Sequence, residues 1–326
     1  MSNIETSDLE THLLECYLFV DDYLKSNPKV ADWRRSNNSD PEFTDAEVIV
    51  IALTGGYFRT DTLKRTYELV VANAEKAFPS RAGYKQWIRR LQRLPDQVGR
   101  LARAAALRGL AGEGRKLYAA DSLPIPLCES ARHGRARLLD EDGAKFGVDA
   151  SGDWFYGFKM HALIHQPTQV VITAMLLPGN RRDQIAARGL ARPMSGGVLL
   201  ADEGYRGEAL FDWLYNQAQT LRVMPSDGSD EGHSAVSRAR QQAESSFSGL
   251  WRRFSNRVYA RSWHGLWTSL LLKVLHFNLD RADIVSQPVE STRDWVESIV
   301  LCKSPGPTKD EKRPRAALGL DMLTRA

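Results

Sequence analysis

Three carboxylates in the chain are placed as a reactive site would place them. Asp121 closes the apolar run Leu117-Tyr118-Ala119-Ala120, and Asp202 closes Val198-Leu199-Leu200-Ala201. A short run that is apolar on both faces reads as a central, buried strand, and open α/β sheets gather their ligands at the carboxyl ends of such strands. If the two strands are neighbours, the two aspartates meet there. Each could instead cap the turn or helix that follows it; that they are matched is what favours a site. The third carboxylate is Glu244. Arg240, Glu244, Phe247, Trp251 and Phe254 recur at helical spacing and share one face. Three of the five are large aromatics, so this face packs, and Glu244 lies toward the packed side. An ionised carboxylate there needs a partner or a metal. Arg240, one turn back, is one candidate partner; a cation shared with Asp121 and Asp202 is the other.

Three carboxylates with no convincing His or Cys ligands favour a hard, oxygen-seeking cation, Mg²⁺ or Mn²⁺. Such ions chiefly serve phosphoryl chemistry, and two of them about 3.5–4 Å apart can assist both the attacking and the leaving oxygen of an in-line displacement. The substrate would then be a polyanion, and the charge distribution agrees. The net charge is only +4, but residues 76–116 hold 11 bases against Asp96 and Glu113, and residues 236–261 hold six arginines against Glu244 alone. Residues 1–50, by contrast, carry 11 acids and four bases. Local basic zones in a near-neutral chain suit nucleic-acid phosphates; on charge alone, solvated helix faces explain them equally well.

The elements that must position these residues can be read in outline. The first third is helical. Thr44 with Glu47 makes a capping box, and Phe43 and Val48 occupy the staple positions, so a helix starts near Asp45 and stops at Gly55-Gly56. A second helix covers Thr62 to Ala77. A third is capped by Ser80, carries Arg81, Lys85, Arg89, Arg90 and Arg93, and is broken by Pro95. Short helices ending in a basic one are compatible with a DNA-binding domain. Near Leu117 the texture changes. Residues 154–164 and 170–177 read as strands joined by a turn at Gln166-Pro167, hence an antiparallel pair. Helices are expected at 183–191, 207–218, 234–254 and near 265–282, and further strands at 198–201 and 221–224. This alternation is α/β. Residues 128–153 are a polar insert, and residues 303–316, rich in Pro, Lys and Arg, read as disordered.

Five stretches occur in order and each falls on the expected element: ADSLPIP (120–126), YGFKMHALI (156–164), LLPGNRRD (176–183), LADEGYRG (200–207) and RARQQAESSFSGLWRRF (238–254). Together they resemble the DDE transposases of bacterial insertion sequences. The segment FTDAEVIVIALTGGYFRT and Tyr84-Lys85-Gln86-Trp87 look like the helical N-terminal part of the same elements, so the likeness spans about residues 10–285. The resemblance implies a ribonuclease-H-like mixed sheet flanked by helices, preceded by an all-α N-terminal domain. It implies that Asp121, Asp202 and Glu244 are the catalytic triad and the ligands of two Mg²⁺ or Mn²⁺ ions. It implies double-stranded DNA as partner, both terminal inverted repeats and target, and at least a homodimer that pairs two element ends. The family often has a Tyr three residues before the Arg of its Arg-x-x-x-Glu and a Lys seven after the Glu; here those positions hold Ser237 and Trp251, and Arg252 or Arg253 could take over phosphate contact.

The resulting domain reading is 1–112 helical, 113–285 catalytic and 286–326 a partly disordered extension. Candidate DNA contacts are Arg81, Lys85, Arg89, Lys159, His161, Arg240, Arg252 and Arg253. Lys159 and His161 alternate with Met160 and share one strand face, where contact with DNA or the edge of the metal site competes with a structural role. Asp183 precedes a helix and reads as its N-cap; Tyr205 lines the DNA groove or packs. Two alternatives to a transposase remain: a metal-dependent nuclease of the same fold that does not join strands, and a non-catalytic DNA-binding derivative. Composition excludes other classes. With 43% hydrophobic and 26% charged residues the chain is not disordered, collagen-like or disulfide-stapled. The longest apolar stretch, 266–279, is short and holds Lys273, which argues against a membrane span. The acidic start does not read as a targeting peptide. Three well-separated cysteines (Cys16, Cys128 and Cys302) fit a reducing, bacterial cytoplasmic and nucleoid-associated setting.

Overall fold

The computed structural model describes residues 3–31, 41–60, 62–128, 132, 135–149, 151–194, 196–205, 207–216, 219–223, 244, 245, 247–250 and 260–285. Six helices come first: α1 (Asn3–Ser26), α2 (Pro28–Ala31), α3 (Asp45–Tyr57), α4 (Leu63–Asn73), α5 (Tyr84–Leu91) and α6 (Pro95–Gly109). The capping box that opens α3 is formed. Thr44 Oγ1 accepts from the Glu47 amide at 3.2 Å, and Glu47 Oε2 accepts from the Thr44 amide at 2.6 Å. Phe43 and Val48 are both buried beside it. The helix does not stop at Gly55-Gly56. It runs through them because α3 is buried along its length, and a side chain on Gly56 would enter the ring of His276, 2.4 Å away.

Two other boundaries differ from expectation for local reasons. Helix α4 ends at Asn73, and residues 75–77 form a separate 3₁₀ turn. Helix α5 opens after Gly83 rather than at Ser80, and Pro95 starts α6 as its first residue, the position that needs no amide hydrogen.

Among the described residues the sheet has six strands: β1 (Leu117–Pro126), β2 (Lys145–Val148), β3 (Trp154–His165), β4 (Val171–Pro178), β5 (Gly197–Ala201) and β6 (Gln219–Val223). Their order is β2-β3-β1-β5-β6, with β4 paired to β3. Strands β1, β2 and β4 run antiparallel to β3, whereas β5 is parallel to both β1 and β6. Strand β2 lies in the segment read from sequence as a polar insert; its burial pattern, three exposed residues of four, carries no hydrophobic signal. Helices α7 (Gln184–Ala191) and α8 (Glu208–Asn216) follow β4 and β5, and α9 (Trp263–Arg281) closes the described chain.

Helices cover both faces. On one, Ile125, Phe158, Met160, Ile164 and Leu176 join the core of α1, α3, α6 and α9. On the other, Tyr118, Ala120, Leu163 and Leu177 meet Ala186 and Leu190 of α7 and Leu210 and Leu214 of α8. This is the expected mixed sheet flanked by helices, with an all-helical stretch before it. Among the described residues no helix is long and apolar enough to cross a membrane.

Candidate active site

Strand register brings the first two carboxylates together. In the parallel pair β1/β5, Ala119 lies opposite Leu200 and Ala120 opposite Ala201. Asp121 and Asp202 are therefore the next residues of two adjacent strands, at one level. The start of β5 is pinned by Val198, whose amide donates to the Lys116 carbonyl at 2.9 Å. Gly197 makes that approach possible: its φ is +102°, and a Cβ would lie 2.3 Å from the same carbonyl oxygen. One detail departs from the sequence reading. Strand β5 ends before Asp202, but β1 does not end at Asp121; it continues to Pro126 because the long antiparallel β3 pairs with it throughout, Asp121 opposite Ala162 and Pro126 opposite Gly157.

Electrostatics links the third carboxylate to this pair. Asp121 is half-buried, and its Oδ1 accepts from the Ser122 amide at 2.7 Å. Its carboxyl is pushed up to about 7, first by burial, against the Ser122 hydrogen bond, and then by the negative charges of Asp202, Asp183 and Glu244. Glu244 is thus within electrostatic reach of Asp121. It is, however, exposed. On its helical segment Phe247 and Leu250 are the buried residues, so Glu244 does not point into the packed side, and burial is not what demands a partner for it. Arg240, Trp251, Arg252, Arg253 and Phe254 lie outside the described residues.

A fourth carboxylate, Asp183, reaches the same place. It precedes α7, where a cap was expected, yet its side chain makes no capping hydrogen bond. Its Oδ1 lies 3.4 Å from Lys159 Nζ and 4.0 Å from His161 Nδ1. A Cβ added to Gly204 would sit 2.9 Å from Asp183 Oδ2 and 3.2 Å from Asp202 Oδ1, so the two oxygens are within about 6 Å of each other, the sum of those distances. The sequence held a usable signal for this: Lys159 and His161 were placed on one strand face, and both converge on Asp183. The cap rule, which looks only along the chain, hid the aspartate.

Behind the carboxylates, His161 Nδ1 and the Tyr205 hydroxyl are hydrogen-bonded at 3.2 Å, and both residues are fully buried. Burial lowers the His161 pKa to about 4 in spite of Asp183, so the imidazole is neutral. A residue with no accessible surface does not touch DNA, so His161 is corrected from DNA contact to internal support, and Tyr205 packs. Of the basic helix residues, Lys85 and Arg89 are exposed one turn apart on α5. Arg81 is engaged by Glu75 at 2.8 Å.

The donor set is carboxylate oxygen throughout, with like charges close enough to add to the effect of burial on Asp121, and this suits a hard divalent cation. Among the described residues, no three His, Cys, Asp or Glu side chains converge closely enough to hold one ion.

One comparison with known proteins bears on the carboxylate-bearing part of the chain. Residues 111–229 match the family model described as Transposase DDE domain. This segment is similar to transposase DDE domains. Such a domain implies metal-dependent cleavage of DNA and strand transfer, the activity of a DNA transposase. The matched segment contains Asp121, Asp183 and Asp202 and ends before Glu244. A solved structure, "Cryo-EM structure of piggyBac transposase synaptic complex with hairpin DNA (SNHP)", aligns with a TM-score of 0.39 and 10% identity over 89% of this chain and 80% of that one. At that level the likeness is loose. Among curated proteins, none matches the sequence.

Proposed function

We propose that the chain mobilises a bacterial insertion sequence, cutting DNA at the element's ends and joining the freed ends to target DNA, with Asp121, Asp202 and Glu244 as the reactive carboxylates. The observation that carries this is the register of β1 and β5, which sets Asp121 beside Asp202, together with the charge of Glu244 felt at Asp121. In this reading the catalytic core, residues 113–285, is ribonuclease-H-like, residues 1–112 contact DNA, and at least two copies pair the two ends.

Asp121 is central to the proposal. The charges of Asp202, Asp183 and Glu244 all reach Asp121; with Asp202 and Glu244 it would hold the divalent cations, Mg²⁺ or Mn²⁺. When bound, two such ions supply Lewis acidity to the attacking and leaving oxygens of an in-line displacement. The fixed strands hold the carboxylates, and so the reacting phosphodiester, without reorganisation. Water cuts the end and frees a 3′-OH. That hydroxyl, held at the same site, then attacks a target phosphodiester, so one P–O bond forms as another breaks and no protein–DNA bond is needed.

The experiment is a cleavage assay on labelled duplex carrying the repeats that flank the coding sequence, with Mg²⁺ or Mn²⁺, wild type beside Glu244→Gln. Metal-dependent nicking at the repeat boundary, lost in the variant, is expected. Joining of a pre-nicked end to target DNA separates the transposase from a nuclease of the same fold. Equal behaviour of the two proteins removes Glu244 from the site.

A further inference from the structure

Lys159 and Asp183 form a half-buried ion pair at the edge of the carboxylate site, with side-chain exposures of 19% and 15%. We propose that Asp183 is a positioning residue that holds the Lys159 ammonium at this edge, where the ammonium receives a non-bridging oxygen of the DNA phosphodiester. The proposal rests on the transposase reading above and adds to it a residue that binds substrate and a residue that aims it.

Three observations carry it. The first is what Asp183 does not do. It stands before the first turn of α7, where a carboxylate would ordinarily take the free amides, and its side chain makes no such bond. Its oxygens lie elsewhere, Oδ1 against Lys159 and Oδ2 beside Gly204, where Asp202 Oδ1 also lies.

The second is the place of Lys159. It lies on β3 opposite Pro124, three residues beyond Asp121 on the neighbouring strand. Through Asp183 its ammonium is held one carboxylate away from Asp202. A phosphodiester entering a site of four acids meets repulsion from all of them, and a fixed ammonium at the edge offsets part of it where the phosphate must lie.

The third is the contact itself. At 3.4 Å, Nζ to Oδ1 is longer than the about 2.7–2.9 Å of a strong charge-assisted bond. An ammonium has three donors, and among the described residues Asp183 takes one of them. Aimed but not consumed, the ammonium keeps donors for a phosphate oxygen.

A merely structural pair would look similar at rest, so the test reads DNA binding. The full chain, free of metal, is titrated with a fluorescent duplex bearing the repeat end at several KCl concentrations. Lys159→Met should lower the salt slope of log Kd by about one, the contribution of one phosphate contact, with melting temperature as the control for folding. Lys159→Arg should keep the slope. Asp183→Asn should weaken binding several-fold when Lys159 is present and leave it unchanged in the Lys159→Met background. Simple loss of a negative charge would strengthen binding instead, so weakening that depends on Lys159 reports positioning.

An unchanged slope in Lys159→Met overturns the phosphate role and leaves a structural ion pair. Additive effects of the two substitutions, or a fall in Mn²⁺ affinity in Asp183→Asn alone, overturn the positioning role. Should Lys159→Met not fold, Lys159→Gln carries the same test. Metal-dependent cutting by the wild type is scored separately; its absence sinks the transposase reading while the binding data still judge the pair.

Discussion

Asn278 completes the outer edge of β4 through Val171. The Asn278 Oδ1 accepts from the Val171 amide at 2.8 Å, and its Nδ2 donates to the Val171 carbonyl at 2.9 Å and to the Ala102 carbonyl of α6 at 2.9 Å. Strand β4 pairs with β3 on one side, and at Val171 the side-chain amide of α9 takes the place a neighbouring strand's peptide would fill on the other. One buried residue thereby ties α9, α6 and the sheet together, and so connects the helical stretch to the strands that carry Asp121.

Asn278→Ala should therefore be among the more damaging single substitutions in the chain. It removes three hydrogen bonds and leaves the buried Val171 N–H and C=O without their partner, at roughly 1–3 kcal/mol for each stranded group. The expected result is a urea midpoint lowered enough to correspond to about 2–4 kcal/mol. A loss under 1 kcal/mol would mean that water or a shifted α9 replaces the amide.

Much of this framework was legible in the sequence because its signals are local. The capping box at Thr44 and Glu47, the turn between β3 and β4, and the apolar runs ending in Asp121 and Asp202 are each readable within a few residues, and each formed as expected. What could not be read depends on contacts across the chain. The extension of β1 past Asp121 follows from pairing with β3. Glu244 is exposed although it shares helical spacing with aromatics, because spacing shows which residues align, not how wide the buried stripe is. The ion pair of Asp183 is invisible to the cap rule, because nothing along the chain shows Lys159, 24 residues earlier, arriving beside it.

Gly204→Ala should disturb the site without disturbing the fold. Gly204 lies in the 3₁₀ turn at residues 203–205, where an alanine backbone is tolerated. Its new methyl would stand 2.9 Å from Asp183 Oδ2 and 3.2 Å from Asp202 Oδ1, so the carboxylates must move. Displacements approaching an ångström at reacting groups can lower rates about 10²-fold; a fall of roughly tenfold or more in metal-dependent cleavage is expected, with the melting temperature close to that of the wild type. Cutting at the full rate would show that these two oxygens do not set the reaction geometry.

Neighbouring basic residues on α5 should separate into two kinds. Lys85 and Arg89 are exposed one turn apart. Arg90 instead reaches Asp45 at 2.6 Å, donates to the Phe43 carbonyl and lies over the Phe43 ring. Replacing both Lys85 and Arg89 with Ala should reduce the salt slope of DNA binding by about two and leave stability unchanged. Arg90→Ala should instead lower the urea midpoint, because it strands Asp45 and a carbonyl at the start of α3. DNA titration and denaturation of the same preparations would check both; an unaltered slope in the double variant would free the α5 face from any DNA role.

Lys273 gives the fold a pH dependence of definite sign. It lies within the buried run of α9, and burial lowers its pKa from 10.5 to about 7. Between those values the unfolded chain binds a proton that the native chain does not, so stability rises with pH across that window. Below about pH 7 both states carry the charge and the full penalty applies; above 10.5 neither carries it and the penalty vanishes. Lys273→Met keeps the length of the side chain and titrates nowhere. The variant should therefore be more stable than the wild type at pH 7, and the difference should shrink as pH is raised, by at most about 1.4 kcal/mol per unit. Urea unfolding of both proteins at pH 7 and 9.5 measures that difference while the other titrating groups cancel. A gap independent of pH would show that the ammonium stays charged in the folded protein, held by a partner strong enough to offset its burial.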